Sequence, residues 1–137
     1  MKRIVILRCL SSNDVCTGAG CMHAFNTKGG AFARYGEEPL ELGAFWSCNG
    51  CEDCRFEHQA GIEEKLERII GLKPDAVHVG VCVKHRTQDG QVVTCKTIEE
   101  ICERLEAAGL DEGRRFLFPK QHDETPYPLF CHNYTGN

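Results

Sequence analysis

Residues 42–54 read LGAFWSCNGCEDC, an apolar run that ends in three closely spaced cysteines, Cys48, Cys51 and Cys54. The run is typical of a buried strand, and a helix-like pattern follows it, with Cys54 expected in the first helical turn. Gly50 lets the backbone bend, so that the sulfur atoms of Cys48 and Cys51 face one point. A turn of this kind suits a metal ion or a redox pair of thiols.

Length, charge and composition exclude several classes of protein. A chain of 137 residues with a formal charge of −4 has the size of one domain and carries both signs of charge along its length. It lacks the basic stripe that nucleic-acid binding requires, and no apolar stretch approaches transmembrane length. We therefore expect a cytoplasmic protein that binds neither nucleic acid nor membranes. Its ten cysteines should stay reduced, and structural disulfides fit poorly because no export signal is recognisable.

The chain alternates between predicted strands and predicted helices. Strands are predicted over residues 2–9, 40–47, 76–83 and 114–118. Helical pieces are predicted after Cys21, over residues 31–35, after the central cysteines as far as a cap at Gly71, and from a capping box at residues 97–100. The segment between the third strand and this last helix, residues 84–95, reads as a polar loop.

This alternation predicts an α/β fold. We expect a single-domain three-layer sandwich around a mostly parallel sheet of about four strands, in a Rossmann or flavodoxin-like order. The domain should cover residues 1–122. Residues 123–137 contain prolines and no clear period, so they form a C-terminal tail that only packing on the domain could order.

Cysteines follow the predicted strands. In parallel sheets the functional sites lie beyond the carboxyl ends of the strands. Cys9 ends the first predicted strand and Cys82 lies at the end of the third. Cys48 and Cys51 follow the second, and His122 comes soon after the fourth. The order of the elements alone therefore brings a metal-ligating side chain from every strand to one edge of the sheet.

Two kinds of chemistry fit this convergence. A metal ion is the first, because zinc takes four thiolate or imidazole ligands in a tetrahedron and the four cysteines after the strands could supply them. Four further residues in nearby loops could form a second site or complete the first: Cys16, Cys21, Cys95 and His85. Iron–sulfur clusters are also held by cysteine thiolates, so the residues alone do not separate zinc from iron.

Thiol chemistry without a metal is the second. A helix N-terminus favours the thiolate form of a nearby cysteine, and cationic residues flank the cysteine loops at Arg8, Arg55, Lys84 and Arg86. The Cys48/Cys51 pair could then serve a thiol–disulfide redox enzyme or a redox sensor. Whether the protein is an enzyme stays open, and no catalytic residue is assigned.

Some residues have structural interpretations beside functional ones. Thr17, Gly18 and Gly20 can form an anion-binding nest before a helix, although such glycines more often only form a turn. Cys102 lies on the apolar face of the last predicted helix and is expected to be a small core residue. His78 lies within the third strand, where a hydrogen-bonded core or surface histidine is more common than a ligand.

Several motifs along residues 2–122 form a recognisable combination. They are Arg8-Cys9 at a strand end, DVCTG at residues 14–18, Cys21, Ala31-Phe32, Tyr35-Gly36, a strand ending in Cys48, Gly50 and Cys51, and a strand ending in Cys82. The combination resembles the CGGC-domain family of small cysteine-rich proteins.

The resemblance implies a metal site rather than a reaction. The family is regarded as metal-binding, with zinc the usual suggestion, so a zinc ion is the favoured cofactor and iron or an iron–sulfur cluster the alternative. Asn49 replaces the first glycine of the motif that names the family, which should leave the sulfur atoms in place. The family typically carries Gly-Thr-His after its last strand, and His122 is the best match for that histidine.

Overall fold

A parallel sheet of three strands forms the centre of the protein. The structure, a computed structural model, describes residues 1–13, 15–50, 61–80, 84–86 and 88–111. The strands are β1 (Lys2–Arg8), β2 (Leu40–Ser47) and β3 (Ala76–Val79), in the order β2-β1-β3. The described helices are α1 (Ala19–Thr27), α2 (Ile62–Gly71) and α3 (Lys96–Asp111), with shorter 3-10 helices over Leu10–Ser12 and Gly30–Tyr35. A hairpin of β4 (Lys84–Arg86) and β5 (Val92–Thr94) precedes α3.

The central strand is β1, and its sequence explains that position. The four residues from Ile4 to Leu7 are continuously apolar and at most 2 % exposed, as a strand covered on both faces requires. Leu7 is in register with Trp46 of β2 on one side and with Val79 of β3 on the other. The three strands are parallel and run level there, so their carboxyl ends share one edge of the sheet.

Helices cover both faces of this sheet. Alternate side chains of a strand point to opposite faces. Val5 and Leu7 therefore pack in one apolar cluster with α2 and α3, and Ile4 and Ile6 pack in another with α1 and the 3-10 helix Gly30–Tyr35. We call these the α2/α3 face and the α1 face. This arrangement confirms an α/β domain with a parallel sheet.

The apolar face predicted for α2 is confirmed, but its ends are not. Ile62, Leu66 and Ile69 are buried at helical spacing. The helix begins at Ile62, after Gly61 with φ of 84°. Cys54, predicted in its first turn, lies outside the described residues. Gly71 is the last helical residue rather than the cap that follows it.

The polar loop predicted over residues 84–95 is also wrong. Three residues on each side pair as the antiparallel strands β4 and β5. Between them the chain turns at Asp89 and Gly90, and Gly90 has φ of 86°. Asp-Gly is a strong hairpin signal because the glycine adopts positive φ without steric cost.

The capping box predicted over residues 97–100 does not start α3. Helix α3 begins at Lys96, so Thr97 is already its second residue. The Thr97 Oγ1 atom is buried and has no hydrogen-bond partner within the described ranges. The fourth strand predicted over residues 114–118 and the tail over 123–137 lie outside those ranges. None of the helices described is both long and apolar enough to cross a membrane.

Candidate functional site

The ends of β1 and β2 bring Cys9 and Cys48 together. Arg8 and Ser47, the residues just before them, are in register across the parallel pair. Both cysteines are completely buried in the apolar cluster of the α2/α3 face. The backbone N–H of Leu10 donates to Cys48 Sγ at 3.5 Å, which ties the loop after β1 to the second sulfur. The two thiols are therefore neighbours at the carboxyl edge of the sheet.

The turn after Cys48 lies against α2. Gly50 has φ of 98°, a left-handed conformation that glycine adopts easily, which agrees with the bend predicted there. A Cβ atom placed on Gly61 would lie 3.5 Å from Asn49 Nδ2, so the residue before α2 lies beside the turn. The N-terminal end of α2 is thus close to Cys48 in space, although many residues separate them in sequence.

Two cations border the cysteine pair. Lys65 of α2 donates from Nζ to the Ser47 carbonyl at 2.8 Å. Burial lowers the pKa of Lys65, the electrostatic interaction with Cys48 raises it, and Arg8 lowers it again. These opposing effects show that Lys65 lies within electrostatic range of both residues. No pattern in the sequence points to Lys65, because its contact with Ser47 depends on how α2 crosses the end of β2.

Arg8 is the second cation. Its guanidinium lies 5.7 Å from the ring centroid of Phe45, and Nη2 donates to Asn13 Oδ1 at 3.2 Å. Its Nη1 atom is buried and has no hydrogen-bond acceptor in the described part of the chain. A buried donor without an acceptor costs about 1–3 kcal/mol, so this atom calls for an explanation.

Cys95 lies on the same face as the pair but does not form a set of three metal ligands with it in the described part of the chain. It is 3 % exposed, directly precedes α3, and packs in the same apolar cluster as Cys9 and Cys48. Within the described ranges, no three His, Cys, Asp or Glu residues are arranged so that they could hold a metal ion together. Cys51, Cys82 and His122 lie outside those ranges. His85 lies in β4.

Cys16 and Cys21 are placed elsewhere. Cys21 belongs to α1 and packs against the cluster of the α1 face, so the sheet separates it from Cys95. Cys16 precedes α1, and its Sγ accepts a hydrogen bond from the Gly18 N–H at 3.3 Å. Of the predicted ligands whose surroundings are described, only Cys9 and Cys48 are adjacent at the ends of neighbouring strands.

The glycine-bearing turn before α1 uses its amides locally. The Gly18 N–H is bonded to Cys16, and the Ala19 N–H donates to Thr17 Oγ1 at 3.2 Å. Gly18 has φ of 79°, and a Cβ there would lie 2.6 Å from Phe45 Cε2. Gly20 is buried in the first turn of α1. The close approach to Phe45 gives Gly18 a structural reason, independent of any anion.

The fold and this edge define a small α/β protein with a buried pair of thiols at the ends of adjacent parallel strands. The CGGC domain family matches residues 3–112, and the chain belongs to that family. An uncharacterized protein of Methanocaldococcus jannaschii is 29 % identical over 108 residues, which cover 75 % of this chain and 76 % of that protein. No solved structure matches the chain.

Proposed function

We propose that this protein binds a metal ion through cysteine thiolates at the carboxyl edge of its sheet, with zinc favoured over iron or an iron–sulfur cluster. The observation that carries the proposal is the adjacency of Cys9 and Cys48 at the ends of two parallel strands. Thiolates are preferred ligands of zinc and of iron–sulfur clusters, and a thiol without a metal packs as a small apolar group. The buried pair fits half of a tetrahedral thiolate set.

Two further cysteines are within reach of the pair along the chain. Cys51 is three residues beyond Cys48, and Cys82 is three residues beyond Val79, the last residue of β3. Three extended residues span at most about 10 Å, so both can approach the edge at which the strands end. Our proposed ligand set is therefore Cys9, Cys48, Cys51 and Cys82. Cys16, His85, His122 and either Cys21 or Cys95 are proposed as ligands of a second site or as replacements, since the sheet separates Cys21 from Cys95.

The residues around the pair suit a thiolate centre. A bound zinc ion would supply a Lewis acid if one coordination position stayed open, and a closed structural centre if four thiolates filled it. Lys65 and Arg8 bring positive charge to this edge, which opposes the negative charge that several thiolates accumulate. The Leu10 N–H bonded to Cys48 Sγ holds that sulfur in place and favours its thiolate form.

Metal analysis of variants tests the proposal. The full chain is purified anaerobically, and zinc and iron are measured after dialysis for the wild type and for Cys9→Ala, Cys48→Ala and Cys102→Ala. Loss of one thiolate should weaken metal binding by about 100-fold or more in the first two variants. Cys102→Ala is the matched control and should keep its metal. A visible absorption band separates an iron–sulfur cluster from colourless zinc.

The outcomes are decisive in either direction. Retention of less than about a tenth of an equivalent of any transition metal by the wild type would contradict the proposal. Full metal content in both Cys9→Ala and Cys48→Ala would remove the strand-end pair from the site. Trp46 is the single tryptophan of the chain and lies two residues before Cys48, so its fluorescence reports binding at this edge independently.

A second candidate function is thiol–disulfide exchange by Cys48 and Cys51. It is favoured by the closeness of Lys65 and of the N-terminal end of α2 to Cys48, since a cation and a helix N-terminus both promote thiolate reactivity. Equilibration of metal-free protein in glutathione buffers tests it. A Cys48–Cys51 disulfide with a defined midpoint, abolished in Cys51→Ser, would support exchange. Absence of any intramolecular disulfide over that range would exclude it.

A further inference from the structure

Helix α3 begins inside the protein rather than at its surface. Cys95, Thr97 and Ile98 are 3 %, 1 % and 0 % exposed, and the cysteine and the isoleucine pack in the apolar cluster of the α2/α3 face. The hairpin before α3 pairs Thr94 with Lys84, so it returns the chain to within a few residues of the end of β3. The helix therefore starts on the carboxyl side of the sheet, where α/β proteins bind their ligands.

The first backbone N–H groups of α3 have no acceptor inside the helix. Its first intrahelical hydrogen bond runs from the Glu99 N–H to the Cys95 carbonyl at 3.0 Å. The N–H groups of Lys96, Thr97 and Ile98 precede that bond, and no backbone hydrogen bond joins them to another described element. Because these N–H groups belong to consecutive residues of one turn and point along the helix axis, they converge on a single position.

Thr97 adds a side-chain donor to the same turn. Its Oγ1 atom is buried and has no hydrogen-bond partner in the described part of the chain. Side chains of an α-helix lean toward its N-terminus, so the hydroxyl of the second helical residue lies over the first turn. The residue that precedes the helix is Cys95, whose sulfur is only a weak acceptor. A buried hydroxyl without a partner is destabilising, so this turn has donors in excess and lacks an acceptor.

We propose that the buried start of α3 binds one small oxyanion, such as phosphate or sulfate, through the N–H groups of Lys96, Thr97 and Ile98 and the Thr97 hydroxyl. An oxyanion supplies several acceptors at one point, and a helix N-terminus favours negative charge there. Glu99, the acidic residue of the first turn, is exposed and acts on Cys102, which lies further along the helix. Since Thr97 and Ile98 are buried, the ligand is the free ion rather than a group on a larger molecule.

This site differs from the other sites considered for the protein. It goes beyond the proposed metal centre, because it needs neither a metal ion nor a thiolate to form. It also differs from the nest predicted before α1. There the Gly18 N–H donates to Cys16 Sγ and the Ala19 N–H donates to Thr17 Oγ1, so the donors are used within the loop.

Phosphate binding by reduced, metal-free protein tests the proposal. Sodium phosphate is titrated into the full chain in the presence of a chelator, with sodium chloride adjusted to keep ionic strength constant. Calorimetry measures the affinity, and the melting temperature should rise in a saturable way, because the ligand binds only the folded state. Glycerol 2-phosphate is titrated in parallel and should not bind, since it carries the same group on a larger molecule.

The hydroxyl is tested by Thr97→Val, which keeps the shape of the side chain. This variant should bind phosphate about tenfold more weakly, and Thr97→Ser should restore binding, because the lost bond is to a charged acceptor. Without phosphate, Thr97→Val should melt no lower than the wild type, since it removes a buried donor that has no partner. Thr27→Val is the matched control: Thr27 Oγ1 is exposed and donates to the His23 carbonyl in α1.

The backbone donors are tested at Lys96. Lys96→Pro removes one N–H group, and proline is well tolerated at the first position of a helix. Lys96→Gln removes the same positive charge but keeps the N–H group, so it is the control. Phosphate affinity should be about tenfold lower in Lys96→Pro than in Lys96→Gln. This pair carries the test by itself if Thr97→Val does not fold.

Four results would overturn the proposal. The first is wild-type protein that binds neither phosphate nor sulfate. The second is an effect of phosphate that chloride reproduces at equal ionic strength, which is screening. The third is unchanged phosphate affinity in both Thr97→Val and Lys96→Pro. The fourth is glycerol 2-phosphate that binds as tightly as phosphate, because the site would then not enclose a free ion. Since the protein is metal-free throughout, failure of the metal proposal leaves these outcomes unaffected.

Discussion

On the α2/α3 face, Cys9 and Cys48 lie at the ends of their strands, whereas on the α1 face His78 lies within β3 and is in register with Ile6 of β1. All three side chains are almost fully buried, at 0 %, 0 % and 3 % exposure. The thiols adjoin a turn and two cations. The imidazole is enclosed by aromatic rings. Position along the strand, rather than depth of burial, thus separates the residues proposed for binding from one used in packing.

The surroundings of His78 explain why it stays neutral. Its ring stacks on Phe32 with centroids 4.4 Å apart, and Nε2 and the Tyr35 hydroxyl share a hydrogen bond of 2.7 Å. Burial, with a smaller contribution from Arg34, lowers the pKa of His78 to about 3. Burial also raises the pKa of Tyr35 to about 12. His78 and Tyr35 are therefore uncharged near neutral pH, and their role is to pack in the core of the α1 face.

Replacing His78 gives the largest expected difference between the two faces. His78→Ala should remove about 3 kcal/mol of folding free energy, because it leaves a cavity beside Phe32 and an unpaired hydroxyl on Tyr35. Metal content should not change. Urea unfolding measures the first quantity and elemental analysis the second. Loss of metal in a variant that remains folded would mean that the α1 face contributes to the site.

Because His78 is buried in its neutral form on the α1 face, the stability of the protein should depend on pH. Unfolded chains protonate histidine near pH 6.5, whereas folded His78 stays neutral to about pH 3, so the unfolded state binds more protons over this range. The free energy of unfolding should therefore fall by about 1.4 kcal/mol for each pH unit below 6.5, and should be insensitive to this group above it. Denaturant unfolding at several pH values measures the slope.

His78→Gln is the control for that slope. Glutamine keeps a hydrogen-bonding group near Tyr35 but cannot titrate, so the difference between the two proteins isolates the imidazole from the carboxylates of the chain. The wild type should lose stability relative to His78→Gln as the pH falls from 6.5 toward 4. Parallel curves for the two proteins would show that His78 is not held neutral by the fold.

The sequence predicted the strand-end thiols better than the surfaces around them. The apolar runs at residues 2–9 and 40–47 could be recognised as buried strands, and parallel order then implied that Cys9 and Cys48 share an edge. Lys65 could not be placed, since its contact with Ser47 depends on the path of α2 over the sheet. The hairpin of β4 and β5 was missed although Asp89-Gly90 signals one, because each of its strands is only three residues long.

Replacing Gly18 tests how tightly the turn before α1 packs against Phe45. Gly18→Ala combines an unfavourable positive φ with a Cβ only 2.6 Å from Phe45 Cε2, and should cost about 2 kcal/mol. Gly90→Ala is the matched control: Gly90 has φ of 86°, but a Cβ there meets nothing within 4 Å. It should show the strain alone, at about 1 kcal/mol. Equal costs would mean that the ring of Phe45 moves aside freely.

Cys102 gives the smallest expected effect and compares two kinds of cysteine on one face. It is half-buried on α3 and packs against the cluster that contains Cys9 and Cys48. Burial, followed by the neighbouring acidic residues Glu106, Glu99 and Glu103, raises the pKa of Cys102 to about 12. The thiol therefore stays protonated at pH 8, and iodoacetamide should modify it only slowly while the protein is folded.

Cys102→Ala removes little volume and should cost about 1 kcal/mol in urea unfolding, with unchanged metal content. Metal loss in this variant, with metal retained in Cys48→Ala, would move the site from the strand ends to the helix face and reverse the roles assigned here to the two cysteines.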